Sequence, residues 1–204
     1  INRQLVLPLG LFDGVQKIVR RAHDLELPAI IDCKINDIGN TNRAIAEYYY
    51  KAGFDAVTAS PFVGWEDGLQ PVFEAAERMC RGVIVLVFMS HKGASEGYGQ
   101  MVQAPRTGRL VPQYKLFAEK ALQWNAEGVV VGATYPEKIR EVHTILKTGV
   151  PIYSPGVGAQ GGNIEAAVRA GASYLIVGRA IIQAEDVTQA AKRFRDTAQE
   201  CLKS

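Results

Sequence analysis

Apolar residues along this chain fall into two alternating rhythms. Short runs rich in β-branched residues, AIIDCKI at 29–35, DAVTAS at 55–60, VIVLVFM at 83–89, GVVVGAT at 128–134, VPIYSP at 150–155 and SYLIVGR at 173–179, read as strands. Their near-continuous hydrophobicity marks strands of a parallel sheet buried on both faces. Between them apolar positions recur with helical period, predicting helices over 40–52, 67–80, 114–125, 136–147 and 163–170, with Gly53, Gly128 and Gly171 placed to close three of them.

A βα repeat without linker or low-complexity segment leaves an open doubly wound sheet or a closed (β/α)8 TIM barrel. Polar, glycine-rich segments follow nearly every strand, and no G-x-G-x-x-G follows the first, which favours the barrel. Six strands in 204 residues fall short of the roughly 250 residues typical of that fold. Residues 1–8 read as the end of a second strand and its loop, and 11–23 as the next helix. The expectation is one (β/α)8-barrel domain over 1–204, N-terminally incomplete, its first βα unit missing. The segment 91–112, with four glycines, two prolines and little apolar period, reads as a long loop carrying Lys92, Arg106 and Arg109.

Composition narrows the function classes. Twenty-three basic against 21 acidic residues, net +2, provide no field that would recruit nucleic acid or an anionic membrane, so any anion site must be local. Cys33, Cys80 and Cys201 are widely spaced, with no C-x-x-C, which suggests neither a disulfide framework nor a structural zinc site. A reducing cytoplasm is expected. No signal peptide is read at the start, and the longest apolar run, 83–89, is far below the ~20 residues of a membrane span.

The richest chemistry lies in AIIDCKINDIGNT at 29–41. Side chains two apart on a strand share a face, so Asp32 and Lys34 point together while Ile31, Cys33 and Ile35 point away, and Asp37 follows just past the strand end. Carboxylates on both sides would keep the lysine charged. A second centre is PGVGAQGG at 155–162, with four glycines in eight residues running toward a helix capped by Asn163. Glycines let backbone N–H groups approach an anion, and a helix start adds a favourable dipole. Gly178 and Arg179 end the last strand, and a guanidinium grips phosphate with two parallel bonds. Pro155, Gly178 and Arg179 therefore mark a phosphate site, at the loops where this fold usually holds one.

The pattern D-x-K-x-x-D-I-x-N-T resembles the active-site strand of orotidine 5'-monophosphate decarboxylases, and the resemblance recurs at Met89–His91, at SPGVGAQGG (154–162) and at IVGR (176–179). It covers essentially the whole chain. It implies decarboxylation of orotidine 5'-monophosphate to uridine 5'-monophosphate in pyrimidine biosynthesis, with no cofactor and no metal. It also implies that Gln160 and Arg179 hold the nucleotide phosphate, that Gln160 reaches toward the pyrimidine and that Ser90 hydrogen-bonds the base. Lys34 would stabilise the carbanion left at C6 and then protonate it, while Asp32 faces the substrate carboxylate. Asp37 would come from the neighbouring subunit with Thr41, making a homodimer with shared active sites. The resemblance further implies a lysine ending the second strand and a ribose-binding aspartate after the first; the chain begins beyond both. Two alternatives remain open: a magnesium-dependent phospho-sugar lyase or synthase of the same superfamily, which also carries D-x-K-x-x-D, and a non-catalytic barrel that binds nucleotide phosphate.

Overall fold

Three parallel strands organise the first part of the computed structural model: β1 (Ile30–Ile35), β2 (Ala56–Ala59) and β3 (Gly82–Phe88), with β2 between the other two. The structure describes residues 1–147, 149–158 and 160–203, in two compact units, Ile1–Leu86 and Val87–Ser204. All six strands read from the sequence are present, each within two or three residues of its expected ends.

In the first unit β2 and β3 are buried along their whole length, as continuous apolar runs require. β1 alternates, with Ile31, Cys33 and Ile35 at 2% exposure or less and Asp32 and Lys34 half-buried on the other face. Helices α1 (Gln16–His23), α2 (Gly39–Lys51) and α3 (Gln70–Met79) cover these strands, with Val15, Val19, Ala46, Tyr50 and Val72 among the buried side chains. Residues 1–2 lie parallel to β1 through an Asn2 to Asp32 bridge, consistent with a strand end, and the expected loop is instead two helical turns, Arg3–Leu5 and Val6–Leu9.

The strand ends opposite Lys34 are tied by Asp55. Its carboxylate accepts the Ala29 N–H at 2.7 Å and an Arg81 guanidinium N–H at 2.7 Å, and it meets His23 Nε2 at 2.8 Å. Burial pushes this carboxyl up, but the Ala29 and His23 hydrogen bonds and the His23 and Arg81 charges outweigh it and hold it below the usual range.

In the second unit β6 (Gly128–Val131), β7 (Ile152–Pro155) and β8 (Tyr174–Ile176) are parallel, with β7 in the middle. Phe88 anchors this core, with Tyr98, Tyr114 and Tyr135 rings 6.1, 5.4 and 5.0 Å from its own. Helices α5 (Gln113–Gln123) and α6 (Pro136–Leu146) are bound through Glu141, which accepts from Tyr114 and Lys115, both at 2.6 Å. Burial raises this carboxyl, yet those bonds and the Lys138 charge bring it to about 2.

The segment 91–112 is more ordered than its composition suggested. It holds a helical turn, α4 (Ala94–Gly97), and an antiparallel hairpin of β4 (Met101–Gln103) and β5 (Leu110–Pro112), with Arg106 and Arg109 exposed at its tip. Its flanking glycines and prolines masked a ladder only three residues long. Gly128 opens β6 rather than closing a helix; the left-handed residue after α5 is Asn125, at φ 53°. The remaining helices are α7 (Ile164–Arg169), α8 (Arg179–Ile182) and α9 (Val187–Lys203).

Candidate active site

The expected pairing at the end of β1 is present: Lys34 Nζ lies 2.5 Å from Asp32 Oδ2, with the two side chains 37% and 39% exposed. The strand that presents them is not regular. Ile31 pairs with Val57 and Ile35 with Ala59, so four residue steps on β1 oppose two on β2, and Lys34 takes φ +50°. A left-handed conformation is uncommon for a lysine, and such backbone persists only where its surroundings fix it.

Thr58 is the residue that meets this bulge. Its hydroxyl accepts the Lys34 backbone N–H at 2.9 Å and donates to Asp32 Oδ1 at 2.9 Å, and its carbonyl accepts the Cys33 thiol at 3.5 Å. Burial pushes that thiol up to about 11, which keeps Cys33 a neutral, packed side chain. Thr58 is 4% exposed in the middle of β2, and in the sequence it is only a β-branched residue in a strand-like run.

Asp37 sits in the turn after β1. Its backbone N–H donates to Asn42 Oδ1 at 2.9 Å, and Asn42 Nδ2 donates back to the Asp37 carbonyl at 2.6 Å and to the Gly68 carbonyl at 2.9 Å. Fully buried Asn42 thus fixes the turn, which the sequence reading did not single out. Gly39 is required beside it, because a Cβ there would lie 2.9 Å from the Asp67 carbonyl oxygen. The Asp37 carboxylate is exposed, accepts its neighbour's Ile38 N–H, and makes no ion pair among the described residues. The structure therefore brings Asp32 to Lys34 but leaves Asp37 apart from them within one chain. Thr41 is exposed in the first turn of α2.

The second unit carries the other expected residues. Gly156, Gly158 and Gly161 have φ of 96°, 77° and 84°, and the loop closes on itself through the Gly162 N–H to the Gly156 carbonyl at 3.0 Å. At Gly156 the absence of a side chain matters most: a Cβ would lie 2.8 Å from Gln160 Oε1 and 2.9 Å from Ser90 Cβ. Ser90, after β3, and Gln160 thus flank the same glycine. Pro155 ends β7, and its carbonyl accepts the Ala133 N–H at 2.8 Å. Asn163 caps α7 by accepting the Ala166 N–H at 2.9 Å, as its place in the sequence predicted. Gly178 and Arg179 are exposed at the start of α8, and Arg179 makes no ion pair with an acidic side chain among the described residues. Its guanidinium is available to an anion. Ser154, beside this loop, is fully buried.

Among the described residues no group of three His, Cys, Asp or Glu side chains is arranged to hold a metal ion, and no helix is long and apolar enough to cross a membrane.

Comparison with known proteins agrees with these motifs. The family model described as orotidine 5'-phosphate decarboxylase / HUMPS family matches residues 1–194. An orotidine 5'-phosphate decarboxylase of Pyrococcus horikoshii is 41% identical over 189 residues, covering 93% of this chain and 82% of the relative. One from Methanosarcina mazei is 38% identical over 191 residues, covering 94% and 78%. The crystal structure of the Methanocaldococcus jannaschii orotidine 5'-monophosphate decarboxylase, complexed with the inhibitor BMP, aligns with a TM-score of 0.81 at 30% identity, covering 97% of this chain and 84% of that one. The chain belongs to the orotidine 5'-phosphate decarboxylase / HUMPS family.

Proposed function

We propose that this protein decarboxylates orotidine 5'-monophosphate to uridine 5'-monophosphate, a step of pyrimidine biosynthesis, without metal or organic cofactor. The observation that carries the reading is the Lys34 ammonium held 2.5 Å from Asp32 at the end of a strand, in a chain whose relatives are named for this activity. Breaking the bond between C6 and the carboxylate releases carbon dioxide and leaves an electron pair on a ring carbon with no adjacent carbonyl to spread it. A fixed ammonium stabilises that charge as it forms, which is where electrostatic catalysis is strongest. Lys34 Nζ then gives a proton to C6 and recovers one from solvent. Asp32 orients the ammonium and faces the departing carboxylate.

The remaining roles follow the motifs. Gln160 and Arg179 take the phosphate with the loop from Pro155 and the turn at Gly178, and Ser90 takes the base. Asp37 and Thr41 serve the site of a second copy in a homodimer; the exposed Asp37 carboxylate, without an ion pair among the described residues, supports that assignment. The architecture that goes with these roles is one (β/α)8 barrel, which the family match over residues 1–194 supports.

The test is the ultraviolet absorbance change on adding orotidine monophosphate, with and without chelator. Turnover indifferent to chelator is expected. Chelator-sensitive turnover of a hexulose phosphate, with none of the nucleotide, would favour the phospho-sugar branch of the same family.

A further inference from the structure

We infer that Thr58 is a positioning residue for the charge pair, the group that holds Lys34 and Asp32 in reacting orientation through one hydroxyl. The inference rests on the decarboxylase reading above for its kinetic consequence, though not for its geometry.

A threonine hydroxyl has a single proton. Because Thr58 Oγ1 accepts the Lys34 backbone N–H at 2.9 Å, that proton is free to point at Asp32 Oδ1, also at 2.9 Å. An ionised Asp32 can only accept, so the direction of both bonds is set. Its other oxygen, Oδ2, takes the Lys34 ammonium. Thus both carboxylate oxygens are occupied from fixed directions, and the carboxylate cannot rotate without losing a partner. Three hydrogen bonds, through one hydroxyl and one carboxylate, tie together the backbone and the side chain of the same lysine.

The bulge explains why a side chain does this work. Alternate residues of β1 face β2: the Ala29 and Ile35 carbonyls accept from Asp55 and Ser60, whereas the Asp32 N–H goes to the Ile1 carbonyl on the other side. In a regular ladder Lys34 would face away from β2 like Asp32; the step of four residues against two between Ile31 and Ile35 breaks that alternation and leaves the Lys34 N–H with the Thr58 side chain. The Thr58 hydroxyl accepts that N–H in place of a ladder carbonyl's regular pairing and so supports the left-handed backbone at Lys34. At 4% exposure water cannot readily replace it. An unmade hydrogen bond at a buried site is costly, so the bulge depends on this hydroxyl.

The experiment compares Thr58→Val, which keeps the shape and deletes the hydroxyl, with Thr58→Ser, which keeps the hydroxyl. For Thr58→Val kcat should fall by about 10- to 100-fold, the scale of a slightly misplaced catalytic group, with KM changed far less. Thr58→Ser should restore kcat to within about threefold of wild type, because the same two bonds can form. Amide hydrogen exchange at Lys34 is read in parallel, and should be protected in wild type and Thr58→Ser and fast in Thr58→Val. Equal kcat in Thr58→Val and wild type, or a Thr58→Ser loss as large as that of Thr58→Val, would overturn the inference. So would unchanged Lys34 exchange in Thr58→Val. If wild type itself fails to turn over the nucleotide, the functional reading falls, while the exchange result still decides the role of Thr58. Should Thr58→Val fail to fold, Thr58→Ser decides alone, since protection of the Lys34 amide lost in it would contradict the proposal.

Discussion

Lys34 combines the catalytic charge with an unfavourable backbone, so its replacement by glycine and by alanine should separate activity from stability. Both substitutions delete the ammonium. Losing one charge-stabilising donor costs about 100- to 1,000-fold in turnover. Losing the proton donor as well costs about 100-fold or more. Together they should reduce kcat by at least roughly a thousandfold, or about 4 kcal/mol. Stability follows a different rule. The ion pair, with both partners more than a third exposed, contributes only about 0–1 kcal/mol to folding, and both variants lose it equally. They differ in φ +50°, which glycine adopts freely and alanine does not. Lys34→Gly should therefore be more stable than Lys34→Ala by about 1 kcal/mol. For a chain of this size that is a difference in Tm of about 2–4 °C. Urea unfolding read by circular dichroism measures the stability difference, and ultraviolet absorbance of the nucleotide measures turnover. Equal stability of the two variants would refute the left-handed strand end, and near-normal turnover in either would refute the role of the ammonium.

Three other outcomes follow. Arg179→Ala should weaken binding of the phosphorylated substrate by about 1.5–3 kcal/mol, as for a lost charged hydrogen bond, while leaving orotidine lacking phosphate unaffected; equal losses for both would mean that Arg179 does not grip phosphate. Asp55 has a carboxyl held below its unfolded value, so its stabilisation is fully present above the unfolded pKa and is lost as pH falls through the folded one; acid unfolding of Asp55→Asn should be less steep with pH in that range, and an unchanged slope would refute the assignment. Mixing inactive Lys34→Ala with inactive Asp37→Ala under subunit exchange should restore turnover, since a mixed dimer has one pocket with neither defect; no recovery despite exchange seen by mass spectrometry would place Asp37 in its own chain.

What the sequence made legible was local. The alternation of Ile31, Cys33 and Ile35 with Asp32 and Lys34 survives the bulge, because period-two burial is set by the side chains of one strand. The glycine-rich loop and the Asn163 cap were equally readable, since their conformations depend on a few adjacent residues. What escaped was set by pairing between distant segments. Thr58 is one β-branched residue among several until its register against β1 is known. Asn42 looks like an ordinary helix-start residue, and only the approach of Gly68 makes it a buried tie. The positive φ of Lys34 has no signature at all in a residue type that rarely takes it. The hairpin of β4 and β5 was hidden by its brevity and by the glycines and prolines around it.

The central claim is that Lys34 supplies the proton that replaces the departing carboxylate at C6. Running the wild-type reaction in deuterium oxide with substrate labelled with carbon-13 in the carboxylate tests it most directly. The account predicts labelled carbon dioxide and uridine monophosphate in equal amounts, one deuterium at C6 of each product molecule, and loss of both signals in Lys34→Ala. Carbon dioxide release with C6 left unprotonated by solvent-derived deuterium, or product formation that persists in Lys34→Ala, would contradict it.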